Sequence, residues 1–414
     1  MTNCAELADY AWLIGPQAGA VLRDLAEESE PLHAAAARLR RQFSAGRTHL
    51  LLEQVDLRGR ATAKFERADE MFFTRVGLEQ ATDQWVAAYK ARRFAGRGPI
   101  ADLCCGIGGD LIALADEAKV VGVDRDPVAT CLATANAGGR AAVETSEVAH
   151  VDAGVFASWH IDPDRRPAGN RTSSLAWSDP NGDAIERLLA ANPDAAIKLA
   201  PGADVPEDWC ARCELEWISR DRQCRQLVAW HGELAQSPGE RRATVLAADG
   251  RVARAVSGRP NQPMPLASQV DRFVCEPDPA VLAADLTGAV AAEHNLRAIS
   301  AGVAYLTGAT AVTDPALACF EVEEIHPLDL RQLARHLRAR NVGRLEVKVR
   351  GVEHEPEKVR ERLRLAGNQV ATLLLTKLNR KRVAIVARRV QHGDAPTSPT
   401  SDPRPLTSPH AACL

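Results

Sequence analysis

Apolar residues in the first seventy positions recur near helical spacing, which predicts helices over Glu6 to Leu25, Pro31 to Arg40 and Thr48 to Glu66. From Thr82 the pattern changes to short apolar runs alternating with amphipathic stretches. A helix is expected up to Phe94, followed by a strand over Ile100–Leu103, a helix over Leu111–Glu117, a strand over Val120–Val123 and a helix over Pro127–Ala137. Further strands are expected near Ala141–Glu144, Trp159–Asp162, Ala195–Leu199, Cys213–Ile218, Gln226–Trp230 and Ala243–Ala247. Such alternation predicts an α/β, Rossmann-like core on a parallel sheet, with ligands at the carboxyl ends of its strands.

The proline cluster Pro260-Asn-Gln-Pro-Met-Pro265 reads as a boundary. Phe273 to Ala318 mixes expected short helices and turns. A β-α-β-α-β-β order follows: strand Phe320–Ile325, helix Leu328–Arg340, strand Leu345–Val349, helix Glu355–Leu365, then strands Ala371–Leu375 and Val383–Ala387. That order fits a small ferredoxin-like α+β sheet. The expected organisation is thus a helical N-terminal domain (1–75), an α/β domain (76–260), a connecting region (261–318), a basic α+β domain (319–390) and a tail (391–414). The tail, rich in Pro, Ser and Thr, is expected to be disordered.

Chemistry concentrates in Ile100-Ala-Asp-Leu-Cys-Cys-Gly-Ile-Gly-Gly-Asp110 and Val120-Val-Gly-Val-Asp124. An apolar strand delivers Asp102 to its carboxyl end, and a turn on Gly106, Gly108 and Gly109 allows backbone to approach a ligand closely. Asp124 ends the next strand, where a carboxylate accepts from both hydroxyls of a ribose. Dinucleotides and S-adenosylmethionine both suit this layout. A dinucleotide fingerprint counted from Gly106 requires glycine at 111, where the chain has Leu111. An acidic residue before the glycines suits the ammonium group of the sulfonium amino acid, so S-adenosylmethionine is favoured.

The stretch D-L-C-C-G-I-G-G-D to V-V-G-V-D-R-D-P-V, closed by Ala135-Asn136-Ala137, resembles class I S-adenosylmethionine-dependent methyltransferases. Within that class it resembles the RNA cap guanine methyltransferase group and bacterial relatives with a THUMP-like C-terminal domain, over about residues 64 to 390. Met71-Phe-Phe-Thr74 and Leu78-Glu-Gln-Ala-Thr82 resemble the segment such enzymes place over the donor. The resemblance implies donor contacts from Thr74, Gln80 and Arg125 beside Asp102, Gly106, Gly108, Gly109 and Asp124. Lys64 and Phe65 are either contacts of the donor or substrate or ordinary surface. Asp152 falls where the class commonly reads the adenine amine, though a plain turn aspartate is the other reading.

Asp162-Pro163-Asp164-Arg165-Arg166 ends the fourth strand, where methyl and acceptor meet. It resembles the D-P-P-Y corner of amine methyltransferases, keeping Asp162 and Pro163 and lacking the aromatic. Asp162, Pro163 and Asp164 are the catalytic candidates; Arg165 and Arg166 either grip phosphate bidentately or pair with a loop carboxylate.

Between Arg331 and Arg389 there are 17 Lys/Arg against five Asp/Glu, a net of +12, in a chain whose total is −3. Segregation on that scale points to a polyanion partner. Arg331, Arg335 and Arg338 share a helical face, and Lys348, Arg350, Arg380, Lys381 and Arg382 fall on strand ends or turns. The expectation is an RNA base methyltransferase acting on tRNA or rRNA. A small-molecule or protein methyltransferase, and a non-catalytic RNA-binding protein of the same fold, stay open. Cys210, Cys213 and Cys224 lack a fourth nearby ligand for structural zinc, so buried free thiols are expected and no metal. Ten cysteines without a disulfide framework, and neither a secretory leader nor an apolar run of 18 residues, suggest a soluble cytoplasmic protein with no membrane or stable protein partner.

Overall fold

A computed structural model describes residues 4–27, 31–164, 178–379 and 381–390. Arg165, Arg166, Arg380 and the tail from 391 lie outside the described residues. The chain divides into two units. The first comprises Met1–Pro263 with Asp278–Ala292, the second Met264–Pro277 with Glu293–Leu414.

The first unit opens with four helices, α1 (Cys4–Leu13), α2 (Pro16–Glu27), α3 (Leu32–Leu39) and α4 (Ala45–Ala61). The single helix expected over Glu6–Leu25 is broken at Ile14 and Gly15, where the first helix ends and Pro16 begins the second; proline suits a helix start because its missing N–H has no helical partner there. Leu13, Leu22, Leu39, Leu51 and Leu57 from this bundle join one apolar cluster with Ile107, Val128 and Leu132. The N-terminal helices therefore share a core with the α/β layer.

Then come α5 (Arg75–Gln80), α6 (Gln84–Ala91), β1 (Ile100–Leu103), α7 (Gly109–Glu117), β2 (Val120–Asp124), α8 (Pro127–Ala137), β3 (Ala142–Thr145), β4 (Ser158–Ile161), α9 (Gly182–Ala191), β5 (Ala195–Leu199), α10 (Glu207–Arg212), β6 (Glu214–Arg220), β7 (Gln223–Trp230), β8 (Arg241–Leu246) and β9 (Val252–Gly258). They form one nine-stranded sheet in the order β3-β2-β1-β4-β5-β7-β6-β8-β9. β1 pairs in parallel with both β2 and β4, so the direction of winding reverses beside β1 and opens a crevice at its carboxyl end. β9 lacked a visible sequence signal, since its outward residues are largely polar or small and mostly exposed.

The second unit holds β10 (Phe273–Pro277), while the helices that follow in sequence are α11 (Pro279–Ala283) and α12 (Thr287–Glu293). Then come β11 (Arg297–Ala298), β12 (Leu306–Gly308), β13 (Leu317–Pro327), α13 (Leu330–Ala339), β14 (Val342–Val349), α14 (Pro356–Leu363), β15 (Gln369–Leu378) and β16 (Lys381–Arg389). Seven strands make one sheet, β11-β12-β10-β13-β16-β15-β14. The β-α-β-α-β-β order expected from 320 onward is present. The expectation of helices and turns alone over 273–318 is corrected: β10, β11 and β12 lie there, and β10 pairs with β13 from Phe273↔Glu321 to Pro277↔Leu317. These strands are only two to five residues long, too short to show alternation.

Candidate active site

β1 carries Asp102 into a buried position, and the chain then turns through residues that keep φ positive: Cys104 at 56°, Gly106 at 54° and Gly108 at 93°. Glycine meets that demand at two of the three positions. At Gly109 a Cβ would stand 3.2 Å from the backbone N and O of Thr82, so the first turn of α7 is pressed against the preceding segment. Asp124, at the end of β2, accepts from the Gly106 N–H with Oδ2 and from the Asp126 N–H with Oδ1, each at 2.9 Å. Burial, only partly offset by these two bonds, raises its carboxyl above the ordinary range.

The segment over 64–82 is fixed from three sides. Asn136 accepts from Phe72 N–H at 2.8 Å and donates to the carbonyls of Phe72 and Ile107 at 3.0 and 2.9 Å. Gln54, buried, exchanges two hydrogen bonds with Phe73. Lys64 donates to the carbonyls of Leu78, Glu79 and Ala81 at 2.7, 3.0 and 2.7 Å. Lys64 thus holds the segment, and Phe65 is buried against Phe73.

A cavity of about 740 Å³ opens over these elements. It brings together Thr74, Gln80, Asp102, Gly106, Gly109, Asp124, Arg125, Asp162, Pro163 and Asp164 of the expected set. Thr74 caps α5 by accepting from Gly77 N–H. Gln80 donates to Asp164 Oδ1 at 3.2 Å, and Arg125 pairs with Asp179. Gly108 shapes the turn without lining the cavity. Asp152 is not brought to it: its Oδ1 accepts from Gly154 N–H at 2.9 Å, capping the short turn Ala153–Val155, which is the plain turn reading. Glu147, Val148 and Ala149 line the cavity instead.

Behind the cavity runs a polar chain that motif reasoning missed. Asp102 Oδ1 accepts from His160 Nδ1 at 2.7 Å, and Lys90 Nζ lies 3.3 Å from His160 Nε2. A carboxylate can only accept, so Nδ1 carries the hydrogen of its bond to Asp102. Lys90 pairs with Asp110 at 2.7 Å, Thr82 donates to Asp110 at 2.7 Å, and Lys198 donates to Thr82 Oγ1 at 2.9 Å and Asp162 Oδ2 at 2.5 Å. One continuous set of bonds therefore joins Asp102 to Asp162. Asp110 is buried, yet Lys90 overrides that burial and holds its carboxyl well below the usual range. A visible signal existed: Lys198 and His160 interrupt the apolar strands Ala-Ala-Ile-Lys-Leu and Ser-Trp-His-Ile.

Asp102 Oδ2 is sealed from solvent and has no hydrogen-bond partner among the described residues, although Asp102 lines the cavity. Burial raises its pKa, with the His160 bond opposing. An unpaired buried acceptor beside a left-handed glycine turn, and a second carboxylate one strand away, fit the ammonium and ribose of S-adenosylmethionine.

In the second unit the predicted basic residues separate into two groups. Lys348 and Arg350 converge on the buried Glu276, at 2.6 and 3.4 Å, so both charges are met inside the sheet. Arg338 donates to the Leu363 carbonyl at 2.7 Å. Arg331, Arg335, Lys381 and Arg382 are exposed and have no ion pair among the described residues. Cys213 is buried, and burial pushes its thiol up to about 12; Cys210 is exposed and Cys224 half-buried. No helix among the described residues is long and apolar enough to cross a membrane.

A sheet whose first five strands run parallel and whose last four add antiparallel pairs, with a left-handed glycine turn after β1 and carboxylates near the ends of β1 and β2, defines a nucleoside-binding α/β fold. The THUMP domain-like family model matches residues 317–389. An uncharacterized S-adenosylmethionine-dependent methyltransferase from Mycobacterium tuberculosis is 34% identical over 347 residues, spanning 79% of this chain and 92% of the relative, with the same values in two strains. A methyltransferase crystal structure from Porphyromonas gingivalis superposes with a TM-score of 0.72 at 18% identity, covering 94% of this chain and all of that one. The chain belongs to the S-adenosylmethionine-dependent methyltransferases, and S-adenosylmethionine is its methyl donor.

Proposed function

We propose that the chain methylates a base nitrogen in structured RNA, tRNA or rRNA. The observation that carries this reading is the THUMP-like region 317–389, on which Arg331, Arg335, Lys381 and Arg382 stay exposed and unpaired among the described residues. Guanidinium and ammonium groups left free in this way suit a phosphate backbone.

When bound, the donor supplies a methyl carbon activated by its sulfonium. Asp102 Oδ2 would accept from the donor's ammonium. Each Asp124 oxygen keeps a lone pair beyond its backbone bond, enough for the two ribose hydroxyls. Asp162, with Oδ2 held by Lys198, presents Oδ1 to the acceptor amine and stabilises the positive charge that develops there. Transfer would exchange the donor's carbon–sulfur bond for a nitrogen–carbon bond on the amine, the electron pair going to the sulfonium sulfur, with Asp162 or solvent taking the amine's proton. Holding the partners in line contributes about 7–11 kcal/mol in well-oriented systems. Pro163 and Asp164 shape the corner, Asp164 through Gln80.

A specific observation favours a second reading. Among the described residues, ten carboxylate side chains and four cationic ones line the cavity, a balance that suits a protonated amine on a small molecule or protein. Radiolabel transfer from the donor into a cell extract separates the two. Label that vanishes with ribonuclease and survives protease supports RNA; label that survives ribonuclease overturns it.

A further inference from the structure

We infer that Glu324, His326 and His336 in the second unit form a binding site for one divalent transition-metal ion of the zinc class. β13 carries a register shift between Val322 and Glu324, after which Glu324 and His326, two residues apart, face the same side of the strand. α13 brings His336 over them. His326 Nε2 lies 2.9 Å and His336 Nε2 3.0 Å from the same oxygen, Glu324 Oε2, and the three donor atoms all fall within 4.8 Å of one another. The imidazole rings stand 4.5 Å apart.

Bonds of about 2.0–2.2 Å from one cation to each donor place neighbouring donors roughly 3–3.5 Å apart, close to the two imidazole–carboxylate spacings already present. Two features set the cluster apart from an ordinary hydrogen-bonded pair. His336 Nε2 is buried and makes no hydrogen bond among the described residues, although it lies near a carboxylate oxygen. Arg340 Nη1 occupies the other oxygen, Glu324 Oε1, at 3.1 Å, which leaves Oε2 as a single, oriented donor.

Two imidazoles and one carboxylate select zinc, cobalt or nickel over calcium and magnesium, which prefer all-oxygen sites. Three protein ligands leave a coordination position open. A cavity of about 420 Å³ lined by His326, Gln332, Leu333, Arg335 and His336 adjoins the cluster, and Arg335 makes an anionic or water ligand the natural occupant of that position.

The test uses the full chain, stripped with a chelator and dialysed against Zn²⁺, with bound metal measured per chain and Co²⁺ as an optical probe. The unmodified chain should take up one equivalent that His336→Ala and His326→Ala both lose, each raising the Zn²⁺ dissociation constant at least tenfold. Gln332→Ala, a cavity-lining change outside the ligand set, should keep it, and circular dichroism should show all three variants folded. A chain that binds no zinc, or a His336→Ala variant that retains the same equivalent, overturns the site.

Discussion

Replacing Asp102 by Asn probes the donor end of the site with little change in shape. His160 Nδ1–H stays 2.7 Å from the side-chain oxygen it bonds, which fixes the amide orientation and turns the new NH₂ toward the position of Oδ2. An acceptor for the donor's ammonium becomes a second donor group. A hydrogen bond between charged partners is worth about 1.5–3 kcal/mol, so the dissociation constant should rise about ten- to 150-fold. S-adenosylmethionine and S-adenosylhomocysteine share the amino-acid end, so calorimetry should show the same loss for both. Because burial raises the Asp102 carboxyl, affinity of the unmodified chain should also decline on acidification sooner than an ordinary aspartate would dictate. All seven tryptophans precede Pro263, so their fluorescence verifies that the first unit remains folded. A folded variant whose affinity for both ligands changes less than threefold would refute the assignment.

Lys198→Met should lower turnover at least tenfold with donor affinity within about threefold, because it strips Asp162 of its cation without touching Asp102; single-turnover label transfer reads this, and unchanged turnover removes Lys198 from the mechanism. His231 is buried and its pKa is lowered from 6.5 to about 4, by burial first and Arg212 second. Its contribution is present above pH 6.5 and lost as pH falls through about 4, so the first unit should lose on the order of 2–3 kcal/mol over that window. Urea titrations followed by tryptophan fluorescence should show a shallower pH dependence for His231→Gln. Arg331→Glu with Arg335→Glu should weaken RNA binding and flatten its salt dependence; an unaltered salt slope means those side chains touch no phosphate.

The glycine turn and the carboxylates beside it were legible because their geometry is local. Gly106, Gly108 and Asp124 lie within one strand–turn–helix–strand stretch, and their spacing alone dictates a close backbone approach. The wall behind it was only hinted at by His160 and Lys198 interrupting apolar strands, since their link to Asp102 and to Lys90 on α6 exists only once β1, β4 and β5 lie side by side. Charge counting misjudged Lys348 and Arg350 for the same reason. Their partner Glu276 sits on β10, in a stretch whose strands were too short to foresee. Asp152 shows the converse: a motif position filled by the right residue type, with its oxygen taken by a local cap.

The pairing of β10 with β13 bears on how the C-terminal module can be isolated. A fragment begun at residue 317, where the family match starts, would strip away a neighbouring strand and lay bare the backbone of β13 along Leu317–Glu321. Phe320, wholly enclosed in the intact sheet beside Val274, would meet water at that raw margin. Unpaired margins of this kind recruit other chains. A fragment that begins before Phe273 keeps that margin closed.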